Sequence, residues 1–89
     1  SDNQALFHRG LEGKELNLIP TERLDQPIRV QARIRYRMTP QPALLEQTGP
    51  DTCRVTFDQP QRAITPGQSV VFYDGPLVVG GAVIWKEED

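Results

Sequence analysis

Turn-forming residues interrupt this chain roughly every ten positions, and the stretches between them alternate apolar with polar side chains. The clearest stretch is "IRVQARIRYR", residues 28–37. Ile28, Val30, Ala32, Ile34 and Tyr36 fall on one side at period 2, and Arg29, Gln31, Arg33, Arg35 and Arg37 fall on the other. A helix would need apolar spacings of three and four, so the pattern predicts a half-buried strand with Tyr36 pointing inward. Five more stretches read as strands: "KELNLI" (14–19), "ALLEQ" (43–47), "TCRVTFD" (52–58), "SVVFY" (69–73) and "PLVVGGAVIW" (76–85). In 52–58 the alternation puts Cys53, Val55 and Phe57 inside, with Arg54 and Thr56 outside. Six short strands, eight prolines and no helical period predict an all-β fold, a small antiparallel barrel or sandwich. A barrel is favoured, because closure removes the exposed edges of short strands.

The punctuation is specific in places. Pro66-Gly67 suits a type II turn, since proline fixes φ at the first central position and glycine accepts a positive φ at the second. Asp74-Gly75 is a two-residue hairpin signal. "TGPD" (48–51) is a turn, "TPQP" (39–42) breaks the strand before it, and residues 20–27 form a polar loop between prolines. Gly80-Gly81 interrupts a run apolar on both faces, marking a bulge or a close backbone approach. Such a run is expected where a sheet curls closed or a neighbouring domain covers it. Residues 1–13 are expected to be irregular, with a turn of helix at 5–9, and 86–89 to be a frayed charged tail. Eighty-nine residues make one domain. The start Ser1-Asp2-Asn3, with Met38 as the one methionine, suggests a piece of a longer protein.

Several function classes lose support. A net charge of −2 argues against a strongly basic nucleic-acid binder, so any such contact must come from local clustering. No apolar run approaches the ~20 residues of a membrane helix. Metal sites need clustered ligands, whereas one histidine, His8, and one cysteine, Cys53, lie far apart. His8 reads as structural or exposed, and Cys53 as a buried, inert thiol, which weakly fits a reducing compartment. Gly80-Gly81 precedes no helix, so it is no phosphate loop. The carboxylates are scattered. Taken alone, the chain carries no catalytic constellation, no cofactor site and no metal site.

The arginine row has three readings. It can be the solvated face of an amphipathic strand, with cationic side chains discouraging edge pairing. It can be a phosphate-facing strip, since alternate strand residues lie roughly 6.6 Å apart and Arg33, Arg35 and Arg37 would span about 13 Å. It can also pair with acidic groups on a neighbouring domain.

The second half of the chain is more distinctive. Pro60-Gln61-Arg62-Ala63-Ile64-Thr65-Pro66-Gly67-Gln68, then Phe72-Tyr73-Asp74-Gly75, then the Gly80-Gly81 strand resemble the C-terminal domain of the tRNA-specific 2-thiouridylases (tRNA-uridine 2-sulfurtransferases). "IRYR" (34–37) resembles that family's Arg-Tyr-Arg strand, and "ALFHRGLEGKELNLI" (5–19) its opening segment. There are departures: Met38 stands where the family usually has Gln, Leu18 replaces a tryptophan, and Gly80-Gly81-Ala82 replaces a triple glycine. The resemblance implies a six-stranded barrel similar to the second domain of elongation factor Tu. It also implies a cytoplasmic parent enzyme that uses ATP and a cysteine persulfide to thiolate the wobble uridine of tRNA. The ATP loop and catalytic cysteines of the family belong to its N-terminal domain, and Cys53 matches neither cysteine. The expected role here is therefore non-catalytic: to help hold the tRNA anticodon arm, beside the N-terminal and central domains. In that context Arg33, Arg35 and Arg37 become candidates for tRNA phosphates, with Arg62 added from the matching motif. The alternative is a structural barrel that orders the enzyme's domains or docks a sulfur-carrier protein, with strand 77–85 as its apolar surface.

Overall fold

The computed structural model describes residues 7–19 and 23–88. Every regular element among them is a strand: β1 (Phe7–Leu18), β2 (Ile28–Arg33), β3 (Gln41–Gly49), β4 (Thr52–Arg62), β5 (Ser69–Asp74) and β6 (Leu77–Glu88). They pair in the order β1-β4-β3-β2-β5-β6, and β6 returns to β1, so the barrel is closed. All six seams are antiparallel. The expected six-stranded antiparallel barrel is the fold of the chain.

Alternation fills the interior. Val30 and Ala32 of β2, Ala43 and Leu45 of β3, Val55 and Phe57 of β4, Val70 and Phe72 of β5, and Ala82 and Ile84 of β6 all point inward and are buried. Leu11 of β1 and Cys53 of β4 join them. Each fully buried Val, Leu, Ile or Phe side chain among them contributes roughly 1.5–3 kcal/mol. Ile64 plugs one end of the barrel from the β4–β5 connection and is also buried.

Several strand boundaries differ from expectation. Residues 7–13 are not irregular but the first half of β1, and they pair with β4 and β6 on either side. The rest of the expected opening segment and helical turn lies outside the described residues. Residues 86–88 are likewise the end of β6, opposite Glu12, Leu11 and Gly10. In both cases a partner strand across the barrel supplies the backbone hydrogen bonds that local propensity does not announce. The hairpin after β5 has Gly75-Pro76 as its two loop residues, with Asp74 paired to Leu77. Gly75 has φ 59° and proline cannot follow it into positive φ, a pattern that suits a type II′ turn. The type II turn at Thr65–Gln68 is present, with Gly67 at φ 95° and Gln68 N donating to Thr65 O at 3.2 Å.

The largest difference concerns residues 28–37. The strand ends at Arg33. Ala32 is already opposite Gln41 of the returning strand, so residues 34–40 must make the turn. Ile34 still reaches the core, which keeps the apolar pattern alive beyond the ladder. Its N–H donates to Met38 Sδ, and Met38 N donates to Arg35 O. Tyr36 is consequently not inward but 87% exposed.

β1 bulges at Glu15, which has φ 54°. There the register with β6 shifts, and Leu16 N donates instead to Asp51 O at 2.8 Å. Beyond the bulge Gly80 packs so close that a Cβ would lie 2.5 Å from Asn17 O. This is the close backbone approach expected of the glycine pair.

Candidate nucleic-acid interface

Antiparallel pairing fixes which residues share an end of the barrel. β2 and β4 both finish, and β3 and β5 both start, at one end. The turn at residues 34–40 and the crossing at residues 63–68 therefore lie side by side there. Arg33, Arg35, Arg37 and Arg62 gather at that end, although no single strand face carries them. The expected strip of Arg33, Arg35 and Arg37 along one strand does not form, because Arg35 and Arg37 belong to the turn.

Each arginine has a distinct environment. The Arg33 guanidinium lies over two rings, 5.4 Å from the centroid of Tyr73 and 5.6 Å from that of Tyr36. Tyr73 reaches it diagonally across the β2–β5 seam, where Arg33 itself faces Val71. Arg35 turns back toward the crossing. Its Nη1 donates to Arg62 O at 2.7 Å and Ala63 O at 3.3 Å. Ala63 has φ 58°, a left-handed conformation that costs a non-glycine residue roughly 1–2 kcal/mol. Thr65 Oγ1 donates to the same Ala63 carbonyl at 3.0 Å. Arg35 thus fastens the turn to a strained corner and acts as a positioning residue. Arg37 and Arg62 are exposed.

Among the described residues none of these four arginines makes an ion pair. Two arginines elsewhere on the wall are neutralised: Arg29 pairs with Asp58, and Arg54 with Glu88 at 3.2 Å and Glu46 at 3.6 Å. Around Arg54 the acids also press on each other. A hydrogen bond that the protonated Glu88 donates to the neighbouring Glu12, then burial and the Glu12 charge, hold Glu88 above its ordinary range, against the pull of Arg54 and Lys86. Cys53 lies in the core, and burial pushes its thiol up to about 11, with a Gly13 backbone hydrogen bond opposing. An uncharged, enclosed thiol is a poor nucleophile.

Beside Arg33 runs an open groove lined by Gln31, Arg33, Pro40, Tyr73, Gly75 and Pro76. Gln31 Oε1 accepts from Gly75 N at 3.0 Å, which leaves its amide hydrogens as donors. Guanidinium groups without carboxylate partners, beside tyrosine rings, suit phosphates and bases: the planar fork binds oxyanions bidentately and stacks on π-faces. The two tyrosines are what the sequence reading missed. The signal for Tyr36 was the Thr39–Pro42 break, which leaves too few residues for a strand reaching 37 and a turn after it.

Residues 8–84 match the model of the aminomethyltransferase β-barrel domain. Curated relatives named tRNA-specific 2-thiouridylase MnmA are 52% identical in Clostridioides difficile, over 96% of this chain and 24% of the relative. The figures are 52%, 93% and 22% for Koribacter versatilis, and 50%, 100% and 25% for Pseudomonas syringae pv. syringae. The chain belongs to the β-barrel domain family of the tRNA-specific 2-thiouridylases. It spans about a quarter of the length of the relatives it matches. Within this family barrel the string Pro60–Gln68 acquires a structural meaning. It ends β4, turns the left-handed corner at Ala63, inserts Ile64 into the barrel end and closes with the type II turn. No helix among the described residues is long and apolar enough to cross a membrane.

Proposed function

We propose that this barrel is the non-catalytic, tRNA-contacting domain of a cytoplasmic sulfurtransferase that 2-thiolates the wobble uridine of tRNA. In this reading ATP is used by an N-terminal domain of the same enzyme, and the barrel helps hold the anticodon arm beside that domain and a central one. The observation that carries it is the gathering of Arg33, Arg37 and Arg62 at one barrel end without carboxylate partners, in a family whose curated members are named for acting on tRNA. Arg35 supports the same surface by fixing its two loops.

The test is a triple change, Arg33→Gln with Arg37→Gln and Arg62→Gln, in the enzyme that carries the domain. tRNA binding weakens and the slope of log K against log salt falls by about 2–3 units, at ~0.7–0.9 per lost phosphate contact. All substrate tRNAs are affected alike, because phosphate contacts carry no base information. Unchanged affinity and slope in a folded variant would show that the cluster faces only water. The barrel alone binds no ATP and transfers no sulfur, and measurable ATP affinity in calorimetry would contradict the non-catalytic assignment.

A second reading has its own observation. Leu77, Val78 and Trp85 of β6 are exposed, as a surface that docks a neighbouring domain or a sulfur-carrier protein would be. Loss of thiolation on Trp85→Ser with tRNA affinity intact would favour it.

A further inference from the structure

The Asp74-Gly75 pair that shapes the β5–β6 hairpin is also a chemically labile bond, and it is the one Asp-Gly pair in the sequence. Glycine has no side chain to shield its nitrogen, so the Gly75 nitrogen can attack Cγ of a protonated Asp74 carboxyl. The N–Cγ bond forms, and the amide proton leaves with the carboxyl hydroxyl as water, giving a succinimide. Water then adds to the Asp74 main-chain carbonyl carbon and breaks its bond to the Gly75 nitrogen. The product has the original mass, but its backbone now runs through the aspartate side chain and is one methylene longer. Both residues are exposed, and nothing lies within 4 Å of where a Gly75 Cβ would stand. Crowding does not protect the pair.

What holds it is a side chain from another strand. In a two-residue hairpin the flanking residues pair with each other, here Asp74 with Leu77, and the first loop N–H has no partner in the ladder. Gln31 of β2 supplies one, its Oε1 accepting from Gly75 N at 3.0 Å. Gln31 is half-buried, and its backbone is fixed on both sides, opposite Pro42 and Tyr73. Attack on the carboxyl requires the Gly75 amide to give up its proton and the nitrogen to swing toward Asp74. The hydrogen bond opposes both movements, and Pro76, with its fixed φ, stiffens the turn from the other side. We infer that Asp74 is a latent isoaspartate site and that Gln31 is the positioning residue that suppresses its rearrangement. This stands apart from both the RNA-contact and the docking readings. Its consequence is local: a longer backbone at Asp74 would displace the Asp74–Leu77 pair and reshape the groove that Gln31, Tyr73, Gly75 and Pro76 line.

The experiment ages the chain near neutral pH and physiological temperature and counts isoaspartate at position 74. Peptide mass spectrometry with electron-transfer fragmentation separates the two isomers of equal mass. The folded chain isomerises far more slowly than the same chain in urea. Gln31→Leu keeps the bulk, lacks the acceptor and speeds isomerisation about fivefold, the equivalent of one ordinary hydrogen bond. Hydrogen exchange at the Gly75 amide quickens by a similar factor, while the core amides of Val55 and Phe72 keep their protection, because only the hairpin has loosened. Gln31→Glu retains an acceptor oxygen and stays at the slow rate. Isomerisation of folded Gln31→Leu at the wild-type rate would overturn the proposal. So would acceleration matched by an equal loss of core protection, which would trace the effect to unfolding of the whole barrel. A folded wild-type chain that rearranges as fast as the chain in urea would show that nothing guards the site.

Discussion

Along the β2–β5 seam three residue pairs are in register: Gln31 with Tyr73, Ala32 with Phe72 and Arg33 with Val71. Along the β1–β6 seam the pairing runs from Gly10 opposite Glu88 to Leu18 opposite Gly80, through two twelve-residue strands. The short seam ends at Arg33, which makes no ion pair among the described residues and lies beside Tyr73, and the long seam carries glycines in backbone contact and acids held around Arg54. Both close the same barrel. The contrast separates two regions that net charge conceals: one seam is charge-compensated and tightly fitted, and the other ends at a guanidinium with no carboxylate partner among the described residues.

The largest effect that tests this contrast is a side chain forced into the long seam. Gly80→Val must displace Asn17 O, which lies 2.5 Å from where its Cβ would stand. A loss of about 3 kcal/mol is expected in urea unfolding. Ile84→Ala, at a fully buried site, should lose about 2–4 kcal/mol. A midpoint near that of the unaltered chain for both would mean that the long seam is no tighter than the short one.

A smaller effect concerns Cys53, whose thiol lies behind the long seam against the place a Gly13 Cβ would take. Its folded value of about 11 exceeds the ordinary 9.0, so the folded state holds the proton that the unfolded state releases. Stability should fall as pH rises from 9 to 11, by roughly 2 kcal/mol at the upper end relative to Cys53→Ala. Parallel pH profiles for the two proteins would show that the thiol is not enclosed.

On the short side, Arg35→Gln should cost about 1 kcal/mol, the worth of a lost charge-assisted tie to two carbonyls. Tyr36→Ala and Arg37→Gln should each stay within about 0.5 kcal/mol. A larger loss at Tyr36 would make it a structural ring and blur the division. The smallest change is expected at Glu12→Gln. With Glu88 held above its ordinary range beside Glu12, the folded state keeps a proton more readily, so the repulsion is absent in acid and present at neutral pH. The substitution should stabilise by roughly a few tenths of a kcal/mol at pH 7 and by nothing near pH 3, a small figure because the groups are solvated. Stabilisation that persists in acid would point to another cause.

The barrel itself was legible because period-2 alternation survives wherever one face is core. Cys53, Val55 and Phe57 could be placed inside, and Arg54 outside, from spacing alone. What the sequence hides is where hydrogen bonding stops. Ile34 stays buried after the ladder has ended, so residues 34–36 still alternate although they form a turn, and Tyr36 was assigned to the wrong side. The beginning of β1 and the end of β6 failed in the opposite sense. Phe7–Gly13 and Lys86–Glu88 show weak local signals and become strands because partners far along the chain wait across the seam. Arg33, Arg37 and Arg62 could be named in advance as cations, but their shared end depends on which strands finish together, a property of topology and not of any segment.

The tether from Arg35 grips carbonyl oxygens and no side chain of the corner it holds. Position 62 can therefore change identity, from arginine to lysine or to a neutral residue, without dismantling the geometry around it. Such a surface can be retuned one substitution at a time for a different ligand, while the framework that presents it stays the same.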